Sequence, residues 1–367
     1  MRKSMGIMLL VLILIGSGVW YMTRNTKDDT VKEKAPTDDQ KTVIEVTPTA
    51  SRSQLEDGLS VLRYDGETGF QEFLNQGGAS TDDEVVGYLM DHVLDVSGLQ
   101  ILNGMFGCST IQTRNTKQEV LFGRNFDWEH SNALILESRP EDAYASISTV
   151  NLDVIQSGVS ISMDRLPDDV IAKVASYAPL DGMNEKGLAI SVNMIQDGDV
   201  IEQNEKSQDI TTTTAIRLIL NKAANVEEAV ALLQEYDLHS SMGMMIHFAI
   251  ADSQGHSVAV EYMDNEMKVV ATPVLTNFYV SEGEKQGIGT TQSHERYEIL
   301  MKLLEEQDSM EMNQVRDALD RVSKDNFNEF ESTEWSVVYN LEQKEIHYYH
   351  RENYDSRYVF HLEEESQ

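Results

Sequence analysis

The sequence is poor in cysteine and in basic residues. Cys108 is the only cysteine among 367 residues, so the chain cannot form an internal disulfide and is not a disulfide scaffold. Its stability must come from a hydrophobic core, and a hydrophobic fraction of 41% is ordinary for a globular protein. Only 29 lysines and arginines oppose 62 acidic residues, which gives a net charge of −33. Such an acidic surface repels phosphate groups and argues against a nucleic-acid partner.

Apolar residues concentrate in one run near the N-terminus. Met5–Met22 carries no charged side chain and follows Arg2 and Lys3. As a helix the run would be about 27 Å long, between a signal-peptide core and a short membrane span. Trp20 and Tyr21 make a poor cleavage site but suit a membrane–water interface. We therefore predict a membrane anchor with the body outside the cytoplasm. The alternative is a cleaved signal peptide and a secreted protein.

Composition divides the rest of the chain into three segments. Residues 23–54 are rich in Thr, Asp and Lys and have little to bury, so they are predicted to be a disordered linker. In residues 55–107, a capping box at Thr81 and Glu84 precedes an apolar helical stripe, which predicts a helical, propeptide-like segment. Residues 108–367 form the main domain, and residues 1–22 are the anchor or signal.

Strand-like and helix-like patterns occur in groups after Cys108. A hairpin is predicted where the turn NTKQ separates CSTIQTR from EVLFGRNFDW. Strands are followed by two helical segments, TTTTAIRLILNKAA and NVEEAVALLQEY, and two more, SHERYEILMKLLEEQ and MNQVRDALDRVS, precede the last strands. Grouped strands with paired helices predict an α+β layered domain, and no internal repeat is visible.

Cys108 is a candidate nucleophile that needs a base, because only a thiolate attacks efficiently. His130 and His247 are the nearest histidines to consider, and neither stands in a recognisable Cys–His arrangement. Cleavage of the chain before Cys108 would supply another base, since a free α-amino group has a pKa of about 7.7–8.0. Gly107 is small enough to allow the tight turn that such a cut requires.

These motifs together resemble the linear-amide C–N hydrolases, or choloylglycine hydrolase family, of the N-terminal-nucleophile superfamily. The family includes bile salt hydrolases, penicillin V acylases, acid ceramidase and the fungal acyltransferase of penicillin biosynthesis. The matching pieces, in order, are CST with GRNFDW, DGMNEKGLAISVNM, FAIADSQGHSVAVEY, LTNFY, SHERY and TEWSVVYN. The resemblance covers about residues 105–362 and implies a four-layer α/β/β/α sandwich, with residues 108–367 as the catalytic domain.

The resemblance also implies roles for individual residues. Cys108 corresponds to the nucleophile, and Arg124 to the guanidinium beside its thiol. Asp127 corresponds to the carboxylate that accepts a hydrogen bond from the new α-amino group, and Asn277 to the asparagine of the oxyanion hole. The remaining matches are a second polar position and a late supporting arginine, which fall on Asn193 and Arg296. If the strand is regular, Asp127 points away from Arg124, and a local turn or bulge would be needed to bring both to the cysteine.

The predicted activity is hydrolysis of a small-molecule, non-peptide N-acyl amide after self-cleavage between Gly107 and Cys108. Acyl transfer to an amine and an inactive binding protein of the same fold remain alternatives. No cofactor is expected. His347 and His350 are three residues apart, which places them on opposite faces of a strand, so no metal site is predicted there. The expected contact with a membrane is made by the N-terminal helix alone.

Overall fold

The computed structural model describes residues 42–93, 107–157, 163–206, 208–326 and 331–362. These residues belong to one compact unit, Glu33–Gln367. The predicted anchor and the first part of the predicted linker lie outside the described residues. Within the described residues, no helix has the length and apolar character needed to cross a membrane.

Strands make up most of the regular structure that the model describes. They are β1 (Thr42–Glu45), β2 (Ser53–Glu56), β3 (Leu59–Tyr64), β4 (Gly107–Arg114), β5 (Val120–Trp128), β6 (Ala133–Ser138), β7 (Ser146–Asn151), β8 (Asp181–Asn184), β9 (Leu188–Met194), β10 (Asp209–Thr211), β11 (Asp237–His239), β12 (Ile246–Asp252), β13 (Ser257–Met263), β14 (Glu266–Ala271), β15 (Val274–Leu275), β16 (Ser332–Asn340), β17 (Glu345–His350) and β18 (Ser356–His361). The predicted hairpin is confirmed, because β4 and β5 pair in antiparallel fashion.

Helices lie between groups of strands, as the sequence pattern predicts. They are α1 (Phe70–Asn75), α2 (Asp82–His92), α3 (Leu152–Ser157), α4 (Asp168–Ala175), α5 (Thr212–Lys222), α6 (Val226–Glu235), α7 (Thr291–Glu306) and α8 (Met312–Arg321). One of the two hydrogen bonds of the predicted capping box is present at α2: Thr81 Oγ1 accepts from the N–H of Glu84 at 3.2 Å. The Glu84 carboxylate, however, accepts from the N–H of Ser80 at 2.8 Å.

Two large sheets form the centre of the molecule. In the described residues, sheet I has the strand order β1-β18-β17-β16-β5-β4-β15, and sheet II has the order β14-β13-β12-β9-β8-β7-β6-β3-β2. The main hydrophobic core lies between the two sheets, since it contains Phe126 and Trp335 from sheet I and Ile190 and Val192 from sheet II. Residues that alternate along β5 therefore face either this core or the outer side of sheet I.

Helices cover the outer faces of both sheets. On sheet I, a second core joins Leu121 and Val338 to Leu300 of α7 and Leu319 of α8. A Cβ atom at Gly123 would lie 2.6 Å from Val315 Cγ1, so the glycine of the GRNFDW motif allows α8 to approach β5 closely. On sheet II, α5 packs on β8 and β9, and α6 packs on β12. The predicted α+β class and four-layer α/β/β/α arrangement are confirmed for the described residues.

The N-terminal segments differ from their predicted boundaries. Residues 42–54 were predicted to be disordered linker, yet β1 pairs in parallel with β18 of sheet I, and β2 pairs with β3. Residues 55–93 are mixed and not only helical, because β3 pairs in parallel with β6 inside sheet II. Burial explains the latter difference, since Leu59 and Val61 contribute to the main core. The segment before Cys108 is thus built into both sheets.

Candidate active site

Cys108 is the second residue of β4 and is completely buried. Its side chain points into the space between the sheets, where the thiol donates to the carbonyl oxygen of Val192 at 3.5 Å. Arg124 of β5 approaches the same sulfur, with Nη2 3.4 Å from Sγ. The pairing register explains this, because Cys108 lies opposite Phe126 and Thr110 lies opposite Arg124. Alternate residues of the two strands therefore share the inner face.

The Arg124 guanidinium is fixed by sheet II. Its Nη1 donates to the carbonyl oxygen of Leu180 at 2.8 Å and to the carboxylate of Asp181. Its Nη2 donates to the carbonyl oxygen of Val192 at 2.8 Å as well as to the sulfur. A buried arginine with this many acceptors presents one fixed charge to the thiol. The arrangement agrees with the expected place of Arg124 beside the cysteine.

Asp181 is a site residue that the sequence reasoning did not select. It opens the DGMNEKGL motif and is completely buried beside Arg124. Trp335 Nε1 donates to its Oδ2 at 2.9 Å, and the Tyr339 hydroxyl donates to its Oδ1 at 3.1 Å. The only sequence signal for Asp181 was its place at the start of this motif. Its hydrogen-bond partners come from strands of sheet I that are distant in the chain. Asp181 balances the charge of Arg124 and holds its direction.

Asp127 lies on the opposite face of sheet I from Arg124. The β4–β5 pairing is regular here, so Asp127 points away from Arg124, as the sequence predicts for a regular strand; the irregularity at this level lies in β16, between Thr333 and Trp335. Asp127 lies directly opposite Gly107 in the β4–β5 pairing, and its Oδ1 accepts from the Thr333 hydroxyl at 2.7 Å. Arg124 thus faces the thiol from within the core, whereas Asp127 faces the backbone that precedes Cys108 from the helical side.

Arg296 and Asn277 hold the backbone of Cys108. Arg296 Nη1, from α7, donates to the carbonyl oxygen of Cys108 at 2.9 Å and to Ser109 Oγ at 2.6 Å. Asn277 Oδ1 accepts both from the N–H of Cys108 at 2.9 Å and from Arg296 Nη2 at 2.8 Å. Asn277 Nδ2 donates to the carbonyl oxygen of Met194 at 2.7 Å. Two donors on one side and an acceptor on the other fix the orientation of this amide.

Asn193 and His247 support the segment that carries Asn277. Asn193 Nδ2 lies 3.4 Å from the carbonyl oxygen of Leu275 and 3.3 Å from that of Thr276. His247 Nε2 lies 2.8 Å from the same Thr276 oxygen, and its Nδ1 lies 2.9 Å from the Glu261 carboxylate. Both ring nitrogens of His247 therefore have partners other than the thiol. Asn193 contacts the segment before Asn277, and none of its hydrogen bonds reaches Cys108.

The other histidines considered from the sequence lie beside acidic side chains. His130 is exposed and lies 3.0 Å from an Asp153 carboxylate oxygen. His347 Nε2 lies 2.6 Å from Glu345, on its own strand. Across the described ranges, no group of three or more histidine, cysteine or acidic side chains is arranged to hold a metal ion.

The surroundings of Cys108 keep its thiol protonated while the chain is intact. Burial raises the pKa of the thiol to about 11, and the negative charge of Asp127 adds to that increase. Arg124 and Arg296 lower the pKa but do not offset the burial. At neutral pH the thiol therefore needs a proton acceptor before it can attack as a thiolate.

A match to a family model confirms the resemblance predicted from the sequence motifs. Residues 174–355 match the family model described as acyl-coenzyme A:6-aminopenicillanic acid acyl-transferase. A mutant of conjugated bile acid hydrolase from Clostridium perfringens is a structural neighbour with 17% identity and a TM-score of 0.49, covering 70% of this chain and 97% of the other. Penicillin V acylase from Agrobacterium tumefaciens shows 18% identity and a TM-score of 0.48, with 66% and 83% covered. No curated protein sequence matches the chain.

Proposed function

We propose that this protein hydrolyses a non-peptide N-acyl amide, with Cys108 as the nucleophile after self-cleavage of the Gly107–Cys108 bond. The observation that carries the proposal is the set of side chains around one buried cysteine. Arg124 contacts the sulfur, whereas Asn277 and Arg296 contact the backbone nitrogen and oxygen of the same residue. Asp127 lies opposite the residue before the cut. A different polar side chain contacts each of three groups of Cys108: the thiol, the backbone nitrogen and the carbonyl oxygen.

Cleavage would convert an inactive chain into an active one. The intact chain holds a protonated thiol, and the nitrogen of Cys108 is an amide without basicity. Attack of Sγ on the Gly107 carbonyl carbon breaks the peptide bond and forms a thioester, which water then opens. The nitrogen becomes an α-amino group that Asn277 Oδ1 and Asp127 can hold by hydrogen bonds. That amine has the ordinary pKa range of a base that works near neutral pH.

The mature site would then act on an external amide. The α-amino group takes the thiol proton, and the thiolate, paired with Arg124, attacks the substrate carbonyl carbon. We assign Asn277 Nδ2, together with backbone donors, to the oxyanion that forms. The protonated amine donates to the leaving nitrogen, and a water molecule activated by the same amine releases the acid from the thioester. No step in this sequence calls on a metal ion.

The two parts of the cut chain would stay together. β1 is paired with β18, and β3 lies inside sheet II between β2 and β6. Separation would expose the buried side chains of Leu59, Val61 and Phe73, at a cost of about 1.5–3 kcal/mol for each large side chain. We also propose that the apolar run in residues 5–22 keeps this assembly at the outer face of a membrane, or directs its secretion.

Acyl transfer is a second candidate function. It is favoured by the description of the family model that matches residues 174–355, which names an acyl-transferase. The first half of the reaction would be the same, and an amine would replace water in the attack on the thioester. An inactive binding protein would keep the fold without forming the thioester.

Mass spectrometry and a substrate panel test the proposal. Wild-type protein should show a new N-terminus at Cys108, whereas Cys108→Ala should remain intact. N-acyl amino acids, N-acylethanolamines, bile acid conjugates and penicillin V are offered with and without an added amine. Released acid indicates hydrolysis, and a new amide indicates transfer. An active wild-type enzyme that is entirely uncut would refute the mechanism. A cut chain that neither turns over nor reacts with thiol-directed acylating probes would favour a binding protein.

A further inference from the structure

Gly107 lies at one end of a three-strand row that brings distant residues beside it. Gly107 of β4 is paired with Asp127 of β5, and Asp127 is paired with Thr333 of β16. Thr333 in turn holds Lys324, because the N–H of Lys324 donates to Thr333 Oγ1 and the N–H of Thr333 donates to the carbonyl oxygen of Lys324, each at 2.8 Å. The row therefore fixes Lys324 close to the residue that precedes the cysteine.

Three ionisable side chains occupy the space where a side chain at position 107 would begin. A Cβ atom built at this position would lie 2.8 Å from Asp127 Oδ2 and 2.8 Å from Lys324 Nζ, and it would overlap Glu331 Oε1. Lys324 Nζ and Glu331 Oε2 form an ion pair at 2.7 Å, and Nζ lies 3.7 Å from Asp127 Oδ2. Lys324 is 8% exposed and Glu331 is 9% exposed. Any larger residue at position 107 would collide with this group.

The proposed hydrolysis of a substrate amide does not use the Lys324–Glu331 pair. The sulfur meets Arg124 on the inner face of sheet I, whereas the pair lies with Asp127 at the α-carbon of Gly107. Burial of two charged groups costs several kcal/mol per ion before their attraction is counted, so a pair in this position calls for an explanation. Self-cleavage has a need that hydrolysis lacks, because it requires proton transfer before any α-amino group exists.

We propose, given the self-cleavage proposed above, that Glu331 and Lys324 are the catalytic acid–base pair of that cleavage. As Sγ bonds to the Gly107 carbonyl carbon, the Glu331 carboxylate accepts the thiol proton through an intervening water molecule and gives it to the departing Cys108 nitrogen. The Lys324 ammonium stabilises the negative charge on the Gly107 carbonyl oxygen. Water then bonds to the acyl carbon and gives a proton to Glu331, and the freed sulfur regains a proton. The products are a Gly107 carboxylate and a Cys108 α-ammonium group.

The electrostatics of Glu331 agree with this role. Burial raises the pKa of its carboxyl group, Lys324 lowers it, and the nearby charge of Asp127 raises it again. The resulting pKa lies above the ordinary glutamate value, so the carboxylate is a stronger base toward the thiol proton. The cleavage rate should consequently fall as the pH drops through the pKa of Glu331.

The test compares the rate of cutting with turnover by chains already cut. Full-length wild type, Glu331→Gln and Lys324→Met are pulse-labelled during expression, and the cut fraction is followed by mass spectrometry. General acid–base groups contribute about 10²–10⁴-fold, so each variant should be cut at least about 100-fold more slowly. Turnover per cut chain should fall less than tenfold. Glu137→Gln alters another buried ion pair, with Arg139, and should be cut at the wild-type rate.

Three outcomes would overturn the assignment. The first is that Glu331→Gln and Lys324→Met are cut at the wild-type rate while cooperative melting shows that both variants are folded. The second is an equal loss of cutting and of turnover per cut chain, which would place the pair in amide hydrolysis. The third is equal cutting of Glu331→Asp and Glu331→Gln, since aspartate retains an acid and should restore part of the rate. Turnover by an uncut wild-type chain would instead refute the proposed function itself.

Discussion

Replacing Arg124 with lysine tests how the thiol is activated. The guanidinium uses two nitrogens that point in different directions, one to Leu180 and Asp181 and the other to Val192 and the sulfur of Cys108. A lysine ammonium is a single nitrogen with three hydrogens and cannot span these four acceptors. Because Asp181 attracts the charge most strongly, we expect the ammonium to stay with that carboxylate and to leave the sulfur.

The structure gives the size of both effects. The carbonyl oxygens of Leu180 and Val192 would each lose a buried hydrogen bond from a charged donor, worth about 1.5–3 kcal/mol, so the free energy of unfolding should fall by about 3–6 kcal/mol. Loss of one preorganised charged partner of the reacting group typically costs about 10²–10³ in turnover, or about 3–4 kcal/mol. The thiolate of the variant should also form at higher pH, since Arg124 lowers the pKa of Cys108 in the wild type.

The assay needs a control that separates stability from catalysis. Arg217 is also fully buried, and it donates to the carbonyl oxygen of Ser176 at 2.7 Å and to the hydroxyl groups of Ser146 and Ser148. Arg217→Lys should lower the unfolding free energy but change kcat per cut chain by less than threefold. Arg124→Lys should lower both. Wild-type kcat in folded, cut Arg124→Lys would refute the assignment of this arginine to the thiol.

Asn277→Ala should lower turnover by about 10²–10³ with the fold intact, and a change below about threefold in steady-state assays would remove Asn277 from the site. Deletion of residues 1–41 should give protein in the soluble fraction that is still cut and active, and its presence in the membrane fraction would contradict the predicted anchor. Extending the deletion to residue 50 removes β1 from β18 and should lower the melting temperature. Burial raises the pKa of Glu261, but its bonds to His247 and to Ser281 outweigh burial and lower it; the carboxylate thus adds stability above pH 4.5 that is lost as the pH falls through the lower folded pKa. Glu261→Gln should accordingly lose less stability than wild type on acidification, and identical acid unfolding curves would count against this interaction.

Several features of the site could be predicted because their signals are local. Glycine before a single cysteine and the GRNFDW motif at fixed spacing indicated Gly107, Cys108 and the hairpin that joins them to Arg124 and Asp127. The helices were recognisable from caps and apolar periodicity. Asp181 was missed, because its partners Arg124 and Trp335 are 57 and 154 residues away in the chain.

The boundaries before the cysteine could not be read from composition. β1 is four residues long with exposed side chains, and β2 is equally short. Such strands have no apolar alternation of their own and exist because β18 and β3 supply hydrogen-bond partners. The sequence consequently favoured a linker up to residue 54 where the structure has sheet edges.

The amino-acid sequence alone indicated Cys108 as the candidate nucleophile, the α+β class and the residue types of the candidate site, since each depends on neighbouring residues or on short periodic patterns. Tertiary structure alone decided which distant side chains surround the cysteine. Strand register sets Arg124 against the thiol and Asp127 against Gly107, and the pairing of Thr333 with Asp127 brings Lys324 and Glu331 to the same glycine. The β4–β5 register belongs to a local hairpin, whereas the β16–β5 register depends on hydrogen bonds between strands about two hundred residues apart, which no local pattern encodes.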